Sequence, residues 1–188
     1  MITAYIDFKS LDCFLAISSI LELADDCETP VSWQPYRSKE RASPTQVANE
    51  SVTQTHHRVR AASERRLQRH YARLRGLDID PSRGQIDTSA ALRWLASLEG
   101  DTSSFVSRLF TALWIDRTDI NDPTFLQEVT TQCGLRRTGD AVDLRSIERK
   151  AEEKGMFDAP TFFIEGQMFT GRAHIPLMRQ LLADGGDR

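Results

Sequence analysis

The chain lacks a Cys-x-x-Cys pair. Its three cysteines, Cys13, Cys27 and Cys133, are odd in number and far apart, and no Cys/His spacing suits zinc. No disulfide framework is needed, no metal is expected, and the cysteines read as free thiols of a reducing compartment. No apolar run approaches the roughly 18 residues of a membrane span, so no membrane partner is expected. A basic leader with a cleavage site is also missing, and residues 1–8 already read as structure, which makes a cytoplasmic protein the expectation. Charge of one sign is not in excess: 24 Lys and Arg against 27 Asp and Glu give a formal net charge of -3, which offers no global field to polyanions. What is present, 188 residues with 40% hydrophobic and 27% charged, is an ordinary globular composition. It is enough for one core, or for a core domain with one sizeable insertion.

Residues 2–8, ITAYIDF, are β-branched and aromatic at several positions and predict a buried strand. A helix-favouring stretch from Ser10 to about residue 24 and a short strand at 31–36 complete a βαβ unit with a parallel pair. From 37 to 49 the chain is polar, carries Pro44 and loses periodicity, as a loop does. Helical patterns follow at about 52–75, 88–98, 103–115 and 122–133, with Asp122-Pro123 a strong helix start. A charged amphipathic helix is predicted at 142–154, a hairpin at 159–164 and 167–170 around Glu165-Gly166, and a last helix at about 175–182. The expected class is α/β, with core parts at 1–40 and 139–188 and an all-helical insertion at 41–138.

Seven arginines (Arg58, Arg60, Arg65, Arg66, Arg69, Arg73 and Arg75) and three histidines (His56, His57 and His70) crowd the first helix of that insertion, against one Glu64. With no aromatic residue but Tyr71 interleaved, a solvated face pairing with acidic neighbours is the reading, and nucleic acid is not expected as a partner. Arg58 or a neighbour could instead reach a cleft and bind a substrate carboxylate.

Ser10 stands where an N-cap belongs, and a serine there has two readings. One is a plain cap worth about 1 kcal/mol. The other is a donor in an anion site, because a helix N-terminus presents unpaired N–H groups and about half a positive charge. Both roles can coexist. Asp12 in the first turn complements the dipole, yet a carboxylate near a sulfur opposes thiolate formation. Cys13 reads as a small buried apolar residue beside Phe14 and Leu15, and as a lone thiol it could at most form a mixed disulfide. Arg172 and His174 could receive a carboxylate or be a solvated pair at a helix start. Pro160 could be a strand-initial edge residue.

The element order resembles a DsbA-type thioredoxin fold, with a mixed sheet, a βαβ…αββα core and a large helical insertion. The motifs Tyr5-Ile6-Asp7-Phe8-Lys9-Ser10, Leu109-Phe110-Thr111-Ala112-Leu113-Trp114 through Asp119-Ile120-Asn121-Asp122-Pro123, Gly155-Met156-Phe157-Asp158-Ala159-Pro160-Thr161-Phe162 and Phe169-Thr170-Gly171 resemble the 2-hydroxychromene-2-carboxylate isomerase branch, close to kappa-class glutathione transferases. The resemblance implies an enzyme that uses glutathione and acts on a small aromatic or conjugated carboxylate. It also implies a homodimer. In it Ser10 would hold the glutathione thiolate that adds reversibly to a conjugated carbonyl acid, Pro160 would be cis, and Ala159, Gly171 and Arg172 would line the glutathione site. Leu11 and Asp12 replace the branch's usual proline and aromatic, and Ala173 replaces an acidic residue that kappa-class relatives use to hold the glutamyl amine. These departures motivate an alternative, a repurposed member binding another small anion or a protein. A thiol-disulfide oxidoreductase using Cys13 is the third reading.

Overall fold

A computed structural model describes residues 1–38, 50–79, 86–139 and 142–185. Its elements, in chain order, are β1 (Ile2–Ile6), α1 (Leu11–Asp26), β2 (Val31–Pro35), α2 (Val52–Leu74), α3 (Ser89–Ala96), β3 (Leu98–Glu99), α4 (Ser103–Trp114), α5 (Pro123–Gln132), β4 (Arg136–Arg137), α6 (Leu144–Glu152), β5 (Thr161–Ile164), β6 (Gln167–Thr170) and α7 (Ile175–Gly185), the last preceded by a 3-10 turn, Arg172–His174. Apart from the short strands β3 and β4, the order matches the expectation, and the cap at Asp122 forms as the Asp-Pro pair predicts, its side chain accepting the Thr124 N–H at 2.8 Å. The loop expected at 37–49 lies outside the described residues from 39 onward.

The sheet is four-stranded and mixed, in the order β2-β1-β5-β6. β1 runs parallel to β2, with Ile2 opposite Val31 and Ile6 opposite Pro35, and antiparallel to β5, with Tyr5 opposite Thr161. Pro35 is tolerated because β2 is an edge strand. The β5–β6 hairpin closes through Glu165 (φ 50°) and Gly166 (φ 79°), two positive φ values in succession that match the twist of a two-residue turn and explain the glycine.

Chain contacts divide the molecule into two units, Met1–Ser38 with Asp87–Arg188, and Lys39–Ile86. Of the segment 41–138 expected as an insertion, residues from 87 onward belong to the unit that holds the sheet. Aromatic packing explains this. The Phe110 ring of α4 lies 5.0 Å from Phe8 and 5.9 Å from Phe14 of α1, and the Trp114 indole N–H donates to the Phe8 carbonyl at 2.9 Å. Ile2, Phe8, Leu15, Ile20, Phe105, Phe110 and Phe162 are fully buried, each contributing about 1.5–3 kcal/mol by leaving water. The segment also holds a short ribbon that the all-helical expectation left out, β3 paired antiparallel with β4. Two-residue strands carry no readable period, and only the return of the chain after α5 brings Arg136 and Arg137 beside Glu99 and Leu98.

α6 docks through a buried charge. Glu148, 5% exposed at its side chain, accepts from Arg37 Nε at 2.5 Å and Nη2 at 2.8 Å, and from the Arg37 backbone N–H at 3.2 Å. Burial works against its ionised form, but the Arg37 hydrogen bonds and charge outweigh it and hold the carboxyl below its usual range. The second unit contains α2, a helix whose outer surface is strongly basic and which begins at a capping box: Ser51 Oγ accepts the Gln54 N–H at 3.3 Å, and Gln54 Oε1 accepts the Ser51 N–H at 2.8 Å.

Candidate active site at the start of the first helix

β1 ends at Ile6, and the turn through Asp7 delivers Ser10 to the head of α1. Ser10 is extended (φ -81°, ψ 114°), its N–H donates to the Asp7 carbonyl at 3.0 Å, and its Oγ accepts the Cys13 N–H at 3.3 Å. It is thus a true N-cap. A hydroxyl that accepts one N–H still carries its own proton, so Ser10 can donate to an anion while it caps the helix. Behind it stand the 16 residues of α1, whose aligned peptide dipoles favour negative charge at this end.

The turn is held from below by Asp7, which is fully buried. Its carboxylate accepts from Thr88 Oγ1 at 2.7 Å, the Ser38 N–H at 2.7 Å and the Lys9 N–H at 3.2 Å, with Lys9 Nζ at 3.8 Å. Burial pushes its carboxyl above the ordinary range, and the hydrogen bonds from Thr88 and Ser38 pull it partly back. In the sequence Asp7 stands only as part of the motif Tyr5-Ile6-Asp7-Phe8-Lys9-Ser10. The signal available in the sequence was one charged residue inside an otherwise apolar and aromatic run, ITAYIDF.

Cys13 is fully buried and its sulfur accepts the Asp7 N–H at 3.5 Å. Burial pushes its thiol far above the usual cysteine range, with the charges of Asp7 and Asp12 adding to the rise. Out of solvent in the first turn of α1, Cys13 packs as a small apolar residue would.

Register brings the other expected residues to the same end of the sheet. Since Tyr5 pairs with Thr161, Pro160 falls one step further along, beside the end of β1. The Ala159–Pro160 bond is cis, as the resemblance implied. The Pro160 carbonyl accepts the Gly171 N–H at 2.9 Å, which fixes the exit of β6 against the proline. Gly171 itself sits at φ 77°, ψ -179°, a region closed to side chains. The next residue, Arg172, is largely buried and places Nη2 3.8 Å from Oδ1 of Asp12. Asp12, the departure in the helix start, and Arg172, a candidate for the glutathione site, are thus one ion pair, and Arg172 offsets the field of Asp12 at the cap.

The remaining candidates stand differently. The Ala159 N–H donates to Oδ1 of Asp158 at 2.9 Å, so the backbone donor of this expected glutathione-lining residue already has a partner. His174 is exposed, its ring 6.1 Å from that of Phe169. Arg58 belongs to the second unit, where Glu50 takes its guanidinium through Nε at 2.9 and 3.1 Å and Nη2 at 3.0 Å. Among the described residues no group of three His, Cys, Asp or Glu side chains could hold a metal, and no helix is long and apolar enough to cross a membrane.

A family model described as DSBA-like thioredoxin domain matches residues 1–183. No curated protein matches the chain. Among solved structures, a 2-hydroxychromene-2-carboxylate isomerase superposes with a TM-score of 0.71 at 16% identity, covering 97% of this chain and 94% of that one. A probable DsbA oxidoreductase from Streptomyces coelicolor gives 0.67 at 14% identity over 100% and 90%. The cytosolic disulfide reductase DsbM from Pseudomonas aeruginosa, solved with GSH, gives 0.58 at 16% identity over 100% and 99%.

Proposed function

Because the chain belongs to the DSBA-like thioredoxin domain family, we propose that it is a glutathione-dependent isomerase or transferase in which Ser10 holds the glutathione sulfur as a thiolate. One observation carries this reading: Ser10 caps α1 through its lone pair and keeps its proton to donate, at a helix end that favours an anion. Free thiols ionise at a pKa of about 8.5, and helix N-termini lower that value. Arg172, held against Asp12, keeps the first-turn carboxylate from acting as an unpaired negative charge beside the sulfur. The turn at Ala159, Pro160 and Gly171 lies at the same strand ends and supplies the wall against which the peptide part of glutathione would rest. Glutathione, when bound, supplies the thiol that adds reversibly to a conjugated carbonyl acid, and the protein's share is to orient and ionise it.

Calorimetry with reduced glutathione tests the proposal, together with the thiolate absorbance of the bound tripeptide as a function of pH. Wild type should bind at millimolar concentration or below with a depressed thiol pKa, and Ser10→Ala should raise that pKa. Failure to bind, or thiol ionisation indifferent to Ser10→Ala, would sink it.

A further inference from the structure

Half of the ten large hydrophobic side chains that the described residues expose belong to one helix, α2: Val52 (73%), Val59 (55%), Leu67 (52%), Tyr71 (39%) and Leu74 (70%). At 3.6 residues per turn, Val52, Val59, Leu67 and Leu74 share about 80° of the helix surface with His56, Ser63 and His70, all three of them exposed. This stripe reads the same in both directions. Ser63 stands at its centre, with Val59 and Leu67 four residues to either side, His56 and His70 seven, and Val52 and Leu74 eleven. Val52, Ser63 and Leu74 therefore recur every eleven residues, a repeat that keeps a stripe nearly straight along a helix.

We infer that α2 is a self-docking surface: it pairs antiparallel with α2 of a second copy of this chain, about a two-fold axis through Ser63. A two-fold contact requires one patch to complement itself, and this stripe does so position by position, Val59 meeting Leu67, His56 meeting His70 and Val52 meeting Leu74. The small Ser63 side chain at the crossing point permits a close approach of the two backbones.

Charge supports the same partner. The helix is so basic that a second copy looks unfavourable at first, but the arginines are not where the axis would place them in conflict. Arg58, Arg65 and Arg69 fall on the far side of the helix from the stripe. One flank carries Arg60 and Glu64, joined within the helix at 3.0 Å, and antiparallel pairing sets each Arg60 on the flank of the other copy's Glu64. The other flank sets Arg66 against Ala62 and Arg73 against Thr55. The single acidic residue of the run thus sits where the pairing needs it, twice per dimer by symmetry.

Sedimentation equilibrium on the full chain tests this. Wild type should dimerise, and Leu67→Glu should weaken the dimer at least about tenfold with an unchanged circular dichroism spectrum, because the side chain is exposed. Glu64→Arg should weaken it as well, and the double exchange Arg60→Glu with Glu64→Arg should restore it. A Ser63→Cys chain should oxidise to a dimer whose disulfide, mapped by mass spectrometry, joins position 63 to position 63, as the short distance at the crossing allows. A wild type that stays monomeric, a dimer left intact by Leu67→Glu, or a Ser63→Cys bridge absent between the two copies overturns the inference.

Discussion

Two helices of this protein begin with the same bond. Ser10 caps α1 and Ser51 caps α2, and in each the hydroxyl oxygen accepts the backbone N–H three residues on at 3.3 Å. Beyond that bond everything differs. At Ser51 the chain closes the cap on itself, through Gln54, and the helix goes on to expose most of its surface. At Ser10 the surroundings come from distant parts of the chain: Asp7 anchored by Thr88 and Ser38, Arg172 beside Asp12, and Gly171 pinned to the carbonyl of Pro160. A serine cap is common chemistry. What makes one of them a candidate active site is the set of groups that tertiary structure converges on it.

The comparison breaks first at Asp7, for which α2 has no counterpart. Asp7→Ala leaves the Thr88 hydroxyl and the Ser38 N–H without their acceptor and should cost about 3 kcal/mol in urea unfolding. The pH dependence has a definite sign. Burial raises the folded carboxyl above its unfolded value, so the folded state holds that proton more tightly. This group's contribution to stability is therefore full below about pH 4 and declines as pH rises through the higher folded value. Urea titrations of Asp7→Asn at successive pH values should lack that decline.

Next in size is Gly171→Ala, which forces a side chain into φ 77°, ψ -179° and should lose about 2 kcal/mol. Thermal unfolding gives the cost, and glutathione titration should show weaker binding as the Pro160 wall shifts. A glycine-to-alanine change with neither effect would separate Gly171 from the site.

The two caps can then be set against each other directly. Ser10→Ala and Ser51→Ala should each cost about 1 kcal/mol, since the bond lost is the same. Only Ser10→Ala should raise the pKa of bound glutathione. Equal behaviour of the two variants in the thiolate assay would reduce Ser10 to a cap like any other.

The smallest effects sharpen rather than break the contrast. Asp12→Asn removes a negative charge from the cap and should lower the pKa of the bound thiol, whereas Arg172→Gln leaves Asp12 uncompensated and should raise it. Ionisation that moves the same way in both variants would show that the pair does not act through its charges.

Much of the fold was legible because local physics is repeated along the chain. The β-branched run at β1, the Asp122-Pro123 start of α5 and the Glu165-Gly166 turn each follow from a few adjacent residues. The features that escaped share a different property. Glu148 and Arg37 are 111 residues apart and Asp7 and Thr88 are 81 apart, while the reach from Asp12 to Arg172 spans most of the chain. In the sequence each member is one polar or charged side chain in a helix, strand or turn, and nothing local selects its partner.

By itself, then, the sequence determined the order of the main strands and helices, the caps that begin α1 and α5, and the positions where Ser10 and Pro160 stand. These depend on propensity and short-range hydrogen bonding, which act over a few residues. Tertiary structure alone decided that Asp12 faces Arg172 and that Asp7 supports the turn as a buried carboxylate. Charge pairing and burial depend on what lies within a few ångströms in space, and only the closed sheet brings those groups that near.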